Sequence, residues 1–334
     1  MEYNKKRVLK FRIAFFILLE VALFVFVLSF FNFSLVKGDV GENVSVATSL
    51  IVGNVFPEVL NVSLDNNSAT VTLVANTTQL VSCVGIVRDY NNDSDFNVAR
   101  AEFYDLYGGV LYGGADDNNT HYTNGSCNIT TNFTSWNEVI DDDYLALVNC
   151  NFSVWYYANA SIWNCTLFIN DTQGWSATGN DSITIDSLLA IGVPSTINYG
   201  TVNATYVSNE NLTNVTNVGN VKINLSLSGY GVDEGDGLAM NCTLGSNGTI
   251  PIDYEKYNLT ATTSGDLTLT QFEGNYTNLT SAVVVNNMDL FVRQNDAAQG
   301  TDDTNATYWR IYVPLGVAGT CNGTIIFGAT TAVA

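Results

Sequence analysis

The chain contains two contrasting hydrophobic patterns. Residues 13–36 form an almost uninterrupted apolar run, whereas the sequence after residue 38 alternates between short apolar and polar stretches. A helix of 24 residues spans roughly 36 Å, which exceeds the ~30 Å hydrocarbon core of a bilayer. This run is the one segment of the sequence that predicts a membrane-inserting helix.

Alternation of period two predicts strands in the remainder of the chain. In residues 221–227, Val221, Ile223, Leu225 and Leu227 alternate with polar side chains, as in a strand with one buried face. Similar patterns predict further strands at residues 60–64, 71–73, 80–87, 99–103, 144–156, 163–169, 183–185, 238–244, 267–272, 283–285, 290–292, 309–313 and 321–327. Because no long segment of helical period follows residue 38, the sequence predicts an all-β protein built from antiparallel β-sandwiches.

Length predicts more than one folded domain, because 334 residues exceed the usual size of a single domain. We assign residues 1–38 to a signal peptide or signal anchor and residues 39–56 to a lead or stalk. A first β-sandwich domain then covers residues 57–187, and a second covers residues 188–334. The predicted architecture is therefore two sandwich domains in tandem after an N-terminal hydrophobic helix.

Charge around the apolar run predicts its orientation. Five basic residues precede it and only Lys37 follows it closely, so the C-terminal side is expected to be exported. Val36 and Gly38 suit the −3 and −1 positions of a signal-peptidase site, which would leave Asp39 as the mature N-terminus. The length of the run favours a retained signal anchor instead, whereas Glu20 within it disfavours a permanent place in lipid.

Composition indicates a heavily glycosylated surface. The chain has 41 Asn, of which 26 lie in Asn-x-Ser/Thr sequons, against about seven expected by chance from its Ser and Thr content. Asn32 lies in the apolar run, which leaves 25 sequons for export and for an oligosaccharyltransferase. The exported part has six basic and 30 acidic residues, a net charge of −24 that excludes nucleic acid as a partner.

Several sequons lie next to cysteines on predicted strands. Since neighbouring strand residues face opposite sides, each such Cys should be buried and each Asn should face water. The sequons predicted on this basis to carry glycans are Asn151, Asn164, Asn224, Asn241 and Asn322.

Six Cys in an exported chain favour disulfides, and pairing within domains leaves three connectivities, all of which contain Cys242–Cys321. A single His and the absence of Cys-x-x-Cys argue against zinc.

Two groups of passages resemble known surface proteins. Residues 83–95 and 154–174, with Trp163 two positions before Cys165, resemble immunoglobulin-like (Ig-like) domains of uncharacterised archaeal-type cell-surface glycoproteins. Residues 216–220 and 309–327 resemble β-sandwich repeats of archaeal and bacterial envelope proteins. The resemblance implies two Ig-like sandwiches with an inter-sheet bridge Cys83–Cys165, which leaves Cys127–Cys150, although no Trp follows Cys83 at the expected distance. It implies a fold and no catalytic residues.

One constellation of oxygen ligands predicts a cation site. Asp89, Asn91, Asp93 and Asp95 occur at alternate positions, the spacing that opens a calcium loop. The glycine and glutamate that an EF-hand needs at positions six and twelve are missing, which excludes an EF-hand. A looser Ca²⁺ site is predicted, and the rival interpretation is a polar turn that carries the sequon Asn92. Ca²⁺ is the only cofactor that the sequence predicts.

No catalytic frame is recognisable in the sequence. His121 lies in a polar tract and is expected to be solvated, and no Ser has a Gly-x-Ser-x-Gly setting. The sequence therefore predicts a non-enzymatic cell-envelope protein with a structural or adhesive role, such as a surface-layer, filament or cell-contact component. The alternatives are a Ca²⁺-dependent adhesin or glycan-binding module and, less favoured, a secreted hydrolase.

Two sequon-free segments are candidates for contact with other copies or envelope proteins. Residues 283–285 with 290–292, and residues 309–313, lack the glycan sites present on most other predicted strands. A glycan would block the close approach of a partner, and a free strand edge is a template for pairing. These segments are the candidates for a self-association surface, and the rival interpretation is that they lie in the middle of a sheet or lack sequons by chance.

Overall fold

The computed structural model describes residues 45–109, 111–262, 265–294 and 303–332. The predicted signal or anchor (1–38) and the predicted N-terminus Asp39 lie outside the described residues. The chain divides into two compact units, Met1–Gly53 and Asn54–Ala334. Within the first unit, residues 45–53 are exposed and have no regular secondary structure. Among the described residues, no helix has the length and hydropathy needed to cross a membrane.

The first half of the second unit, up to residue 187, is built in its described part from strands alone, apart from 3₁₀ turns at Asp65–Asn67 and Asp93–Asp95. The strands are β1 (Glu58–Leu64), β2 (Thr70–Val71), β3 (Thr78–Arg88), β4 (Phe96–Asp105), β5 (His121–Asn124), β6 (Asn128–Thr130), β7 (Ser135–Trp136), β8 (Val139–Ile140), β9 (Leu145–Trp155), β10 (Ile162–Asp171) and β11 (Ser176–Ile185). They confirm the strands predicted from alternation in this region, except that the predicted strand 71–73 is met only at Val71 by β2. Five strands, β1, β3, β4, β10 and β11, extend beyond the predicted bounds.

Two sheets of this half share one core. Their strand orders are β1-β3-β9-β6 and β2-β11-β10-β4-β5, and all pairs are antiparallel except β2 with β11. Val148, Cys150, Phe152 and Val154 of β9 are buried, while the residues between them are more exposed. Period-two burial of this kind places each inner face against the other sheet. The Cys83–Cys165 disulfide joins β3 to β10 across the core, and Cys127–Cys150 fastens the chain before β6 to β9.

The second half, from residue 188 onwards, is also mainly β in its described part, with a 3₁₀ turn at Ile252–Tyr254 and one short helix, α1 (Leu269–Asn275). Its strands are β12 (Ile191–Gly192), β13 (Asn211–Asn217), β14 (Ile223–Tyr230), β15 (Leu238–Gly245), β16 (Thr249–Pro251), β17 (Glu255–Asn258), β18 (Thr277–Asn278), β19 (Val284–Leu290), β20 (Thr304–Ile311), β21 (Val317–Asn322) and β22 (Thr324–Thr331). They form sheets of order β12-β13-β20-β17-β18, β19-β14-β22 and β16-β15-β21. The Cys242–Cys321 disulfide joins β15 to β21.

Four of the predicted strands in this half differ from the structure. Residues 267–272 were expected to be a strand, but Thr268 caps α1 by a capping box with Gln271, and the helix buries Phe272. The predicted strands 283–285 and 290–292 are replaced by the single strand β19, which covers residues 284–290 and meets the second prediction only at Leu290. The predicted strand 321–327 is divided into β21 and β22.

The segment between the two halves is hydrogen bonded to the turn before β14. Asn220 Oδ1 accepts from Leu188 N at 2.6 Å, and Asn220 Nδ2 donates to the carbonyl oxygen of Asp186 at 2.9 Å. A Cβ atom on Gly219 would lie 2.0 Å from the Leu188 carbonyl oxygen, so only glycine allows this approach. Leu188 packs against the core of the first half and Ile191 against a core of the second. The predicted domain boundary at residue 188 falls in this segment.

The two sequon-free segments have different places in their sheets. Residues 309–313 overlap β20, which is paired with β13 on one side and β17 on the other, so they offer no free edge. The prediction of a contact surface is therefore wrong for this segment. β19 is an edge strand, because β14 is its only strand partner within the described residues. Val283, Val284 and Val285 are exposed along it.

Candidate metal centre

Three carboxylates meet where strands of the two sheets end. Asp89 directly follows β3, Asp95 directly precedes β4, and Asp171 is the last residue of β10. The register of the β10–β4 pair places Asp171 opposite Phe96, beside Asp95. One carboxylate oxygen from each of the three residues lies within 4.8 Å of the other two. The cluster therefore joins residues that are up to 82 positions apart in the sequence.

The buried carboxylate of Asp89 dominates the electrostatics of this cluster. Asp89 is 0 % exposed, its Oδ1 accepts from Asn91 N at 2.8 Å, and its Oδ2 has no hydrogen-bond partner. Burial, together with the nearby charges of Asp95 and Asp171, raises the pKa of Asp89. Among the described residues, no Lys, Arg or His forms an ion pair with any of the three carboxylates.

Asp171 and Asp95 are held in place by the turn after β10. Asp171 Oδ1 accepts from the backbone N–H groups of Gln173 and Trp175 at 2.9 and 2.8 Å. The Thr172 hydroxyl donates to Asp95 Oδ1, and Thr172 N donates to the Asp95 carbonyl oxygen at 2.8 Å. These bonds fix the distance between the two loops without neutralising either carboxylate.

The structure brings together two of the four sequence-predicted ligands, Asp89 and Asp95. Asp93 lies in the 3₁₀ turn Asp93–Asp95, and its backbone N–H donates to Asp143 O at 2.9 Å. Asn91 Oδ1 accepts from Val55 N at 2.8 Å. The turn begins because Asn92 Oδ1 accepts from Ser94 N, and this tighter conformation breaks the alternation that an extended loop would have. Asp171 was missed because only the strand pairing brings it here.

The start of the second unit is attached to the same loops. Asn54 Nδ2 donates to Asp171 Oδ2 at 2.5 Å, and Val55 N donates to Asn91 Oδ1. The Phe56 ring stacks on Trp175 with centroids 4.0 Å apart. Residues 54–56 therefore contact both loops that supply the carboxylates.

Three carboxylates without a basic partner are the chemistry of a hard divalent cation. Oxygen ligands of this type suit Ca²⁺ or Mg²⁺, whereas softer metals prefer nitrogen and sulfur. The unpartnered Oδ2 of Asp89 fits such a group, since a buried anionic oxygen without a partner is costly. The arrangement is suited to binding a cation and stabilising the loops around it.

His121 is not the solvated loop residue that the sequence suggested. Its side chain is fully buried, with Nδ1 2.8 Å from Asp116 Oδ1 and Nε2 3.3 Å from Glu102 Oε2. Glu102 also accepts from Gly113 N at 2.5 Å, so this group fastens the loop between β4 and β5 to β4. Because carboxylates engage both ring nitrogens, His121 is not placed to activate a nucleophile.

A second buried acid lies in a pocket of the second half. Glu255 is 2 % exposed, and Tyr199 donates its hydroxyl to Glu255 Oε1 at 2.8 Å. Burial raises the pKa of Glu255 to about 7. The pocket has a volume of about 520 Å³, and Met240 and Phe327 are among its lining residues. No second acid lies among the lining residues, so Glu255 is not part of a pair of carboxylates such as glycoside hydrolysis requires.

The sequon asparagines lie at the surface. Of the 24 sequons whose Asn is described, 23 have an exposed or partly exposed Asn side chain, among them Asn151, Asn224, Asn241 and Asn322. Asn164 is the exception and corrects the prediction, because it is only 8 % exposed and its Nδ2 donates to Tyr104 OH at 2.9 Å. β10 is an inner strand, and side chains of β4 cover the face on which Asn164 lies.

No family model matches the sequence, and no curated protein matches it. Among solved structures, the chaperone–tip adhesin complex of CFA/I fimbriae has 11 % identity and a TM-score of 0.29, over 81 % of this chain and 84 % of that chain. The C-terminal domain of the AgI/II polypeptide BspA from Streptococcus agalactiae has 12 % identity and a TM-score of 0.22, over 83 % and 96 %. The secreted serine protease VesC from Vibrio cholerae has 10 % identity and a TM-score of 0.19, over 81 % and 50 %. Similarities this weak carry no argument about this chain.

Proposed function

We propose that the chain is an exported, N-glycosylated, non-enzymatic surface protein with a structural or adhesive role in a cell envelope. The observation that carries the proposal is the outward position of the sequons, since 23 of 24 described sequon asparagines are accessible. By contrast, three other asparagines, Asn119, Asn217 and Asn220, are buried and belong to no sequon. Accessible asparagines are what a glycan-bearing surface requires.

Disulfides and charge support an extracellular location. Three disulfides link all six cysteines, and such bridges persist in oxidising compartments. The net charge of −24 after residue 38 favours solubility of the exported part and repels nucleic acid and anionic lipid. Export would proceed through residues 13–36, which are either cleaved before Asp39 or retained as an anchor.

The finer architecture belongs to the same proposal. The Cys83–Cys165 bridge joins facing sheets, and Trp163 is buried in the same core, an arrangement that supports an Ig-like first domain. We assign the second half to another sandwich domain of this class, consistent with the resemblance to archaeal-type surface glycoproteins. A Ca²⁺-dependent adhesin is the second candidate, and the carboxylate cluster around Asp89 favours it.

Site-resolved glycoproteomics of native material tests the proposal. We expect glycans at most accessible sequons, including Asn151, Asn224, Asn241 and Asn322, and none at Asn164, which acts as an internal control. N-terminal sequencing of the same sample distinguishes Asp39 from an intact anchor. A native protein without glycans would contradict the proposed surface role.

A further inference from the structure

We infer that Asp89, Asp95 and Asp171 bind one Ca²⁺ ion, and that the bound ion fastens residues 54–56 to the first half of the protein. The inference deepens the proposed function and rests on it only for the supply of Ca²⁺, which is abundant outside cells. Glycan occupancy does not enter the argument, so the two ideas can fail separately.

The first support is the unpaired oxygen of a fully buried carboxylate. An acidic cluster alone is common on an acidic protein, but Asp89 is 0 % exposed and its Oδ2 contacts no hydrogen-bond donor. Buried polar atoms in native proteins almost always have a partner. Neither a Lys nor an Arg among the described residues supplies one, and a cation shared with Asp95 and Asp171 would do so.

The coordination chemistry of the two ions favours calcium over magnesium. The three oxygens lie within 4.8 Å of one another, so one ion can contact all of them. Ca²⁺ accepts about six to eight oxygen ligands at about 2.3–2.6 Å in a flexible geometry. Mg²⁺ demands near-ideal octahedral geometry at about 2.0–2.1 Å and dehydrates reluctantly, so a site made of three protein carboxylates suits it less well.

The contacts of the ligands connect the ion to residues 54–56. Asn54 donates to Asp171, Val55 donates to Asn91 in the loop of Asp89, and Phe56 stacks on Trp175 beside Asp171. Without a cation, three carboxylates repel one another and separate the two loops on which these contacts depend. A ligand that holds the loops together must stabilise the contacts, and the contacts must strengthen ligand binding by the same factor.

Binding can be measured on the full exported protein after treatment with EDTA. Calorimetric titration with CaCl₂ should give one site with a dissociation constant of about 10⁻⁴–10⁻³ M, the usual range of extracellular modules. Mg²⁺ should bind at least tenfold more weakly. Tb³⁺ added as a Ca²⁺ analogue should luminesce when Trp175 is excited, because the backbone N–H of Trp175 donates to Asp171 and holds this residue beside the proposed ligand.

Matched variants distinguish the site of Asp89, Asp95 and Asp171 from the site that the sequence predicted within residues 89–95. Asp171→Asn should weaken Ca²⁺ binding at least tenfold, while Asp93→Asn, an equal change of charge in the same loop as Asp95, should bind as the wild type does. An asparagine at position 171 can still accept the turn hydrogen bonds, and circular dichroism checks the fold. Loss of binding in Asp93→Asn with full binding in Asp171→Asn would overturn the inference, as would no binding by the wild type at 10 mM Ca²⁺, roughly ten times the weakest expected constant.

Hydrogen exchange tests whether the bound ion fastens residues 54–56 to the first half of the protein. Addition of Ca²⁺ should slow exchange of the Val55 amide, which donates to Asn91, by at least fivefold. Asn54→Ala should reduce this protection and weaken Ca²⁺ binding only modestly, since it removes a contact and no carboxylate. Ca²⁺ binding with unchanged exchange in residues 54–56 would contradict the proposed role of the ion.

Discussion

Replacement of Glu255 by Gln should remove a defined part of the pH dependence of stability. The ordinary pKa of a glutamate, near 4.5, applies to the unfolded chain, whereas burial raises the pKa of Glu255 to about 7 in the folded protein. Between these pH values the folded state keeps a proton that the unfolded state has released. Stability is therefore greatest below pH 4.5, falls as the pH rises to about 7, and is constant above that value with respect to this group.

The size of this effect follows from the shift. One unit of pKa corresponds to about 1.36 kcal/mol, so the shift of Glu255 predicts a loss of about 3 kcal/mol between pH 4.5 and pH 8. The side chain is 2 % exposed, and therefore little screening by solvent is expected to reduce this value. The Tyr199 hydroxyl donates to Glu255 in either protonation state and lowers the pKa less than burial raises it.

Urea unfolding at a series of pH values measures the effect. Wild type and Glu255→Gln carry the same remaining acids, so the difference between their free energies of unfolding isolates residue 255. Between pH 4.5 and pH 8, the free energy of unfolding of Glu255→Gln should rise by about 3 kcal/mol relative to that of the wild type. Asp253→Asn, a change at an exposed acid two residues away, should retain the wild-type slope. Equal pH slopes in wild type and Glu255→Gln would refute the reasoning.

Two further outcomes test the second half of the chain. Cys242→Ala removes the only disulfide of that half and should destabilise it by about 2–5 kcal/mol, so hydrogen exchange should show β15 unfolding before β9; simultaneous unfolding of both strands would contradict this expectation. Asp289→Asn with Phe291→Thr places a sequon on β19, where Asn tolerates the positive φ of 50°. We expect the glycosylated variant to fold and to lose self-association as judged by light scattering, and normal association would exclude this edge as the contact.

The strands could be predicted because burial of one face imposes a period of two. In β14, Ile223, Leu225 and Leu227 are buried as the alternation indicated. Cys83 and Cys165 lie on facing sheets and form the bridge that the resemblance to Ig-like domains implied. The alternation is readable in the sequence because it depends on neighbours along the chain, whereas the bridge joins residues 82 positions apart and was expected only from the resemblance.

The features that were missed depend on neighbours in space. Asp171 enters the carboxylate cluster through the register of β10 with β4, which no spacing in the sequence reveals. Asn164 has the alternation of an outward residue, yet an adjacent strand covers it with Tyr104. His121 lies in a polar tract and is buried because Glu102 and Asp116 come from either side. Only α1 had a local signal, the pair Thr268 and Gln271 of its capping box.

The disulfide between Cys83 and Cys165 also has a mechanical consequence. It closes a loop between residues that are 82 positions apart. Without the bridge, this segment could be stretched to roughly 270–300 Å. Tension along the backbone passes through the two sulfur atoms, so the enclosed strands cannot be drawn out even when their hydrogen bonds rupture. Cys242–Cys321, with a separation of 79 residues, limits the other half in the same way. A filament or contact made from this protein would therefore lengthen under load only through residues outside the two disulfide loops, such as residues 166–241 between them.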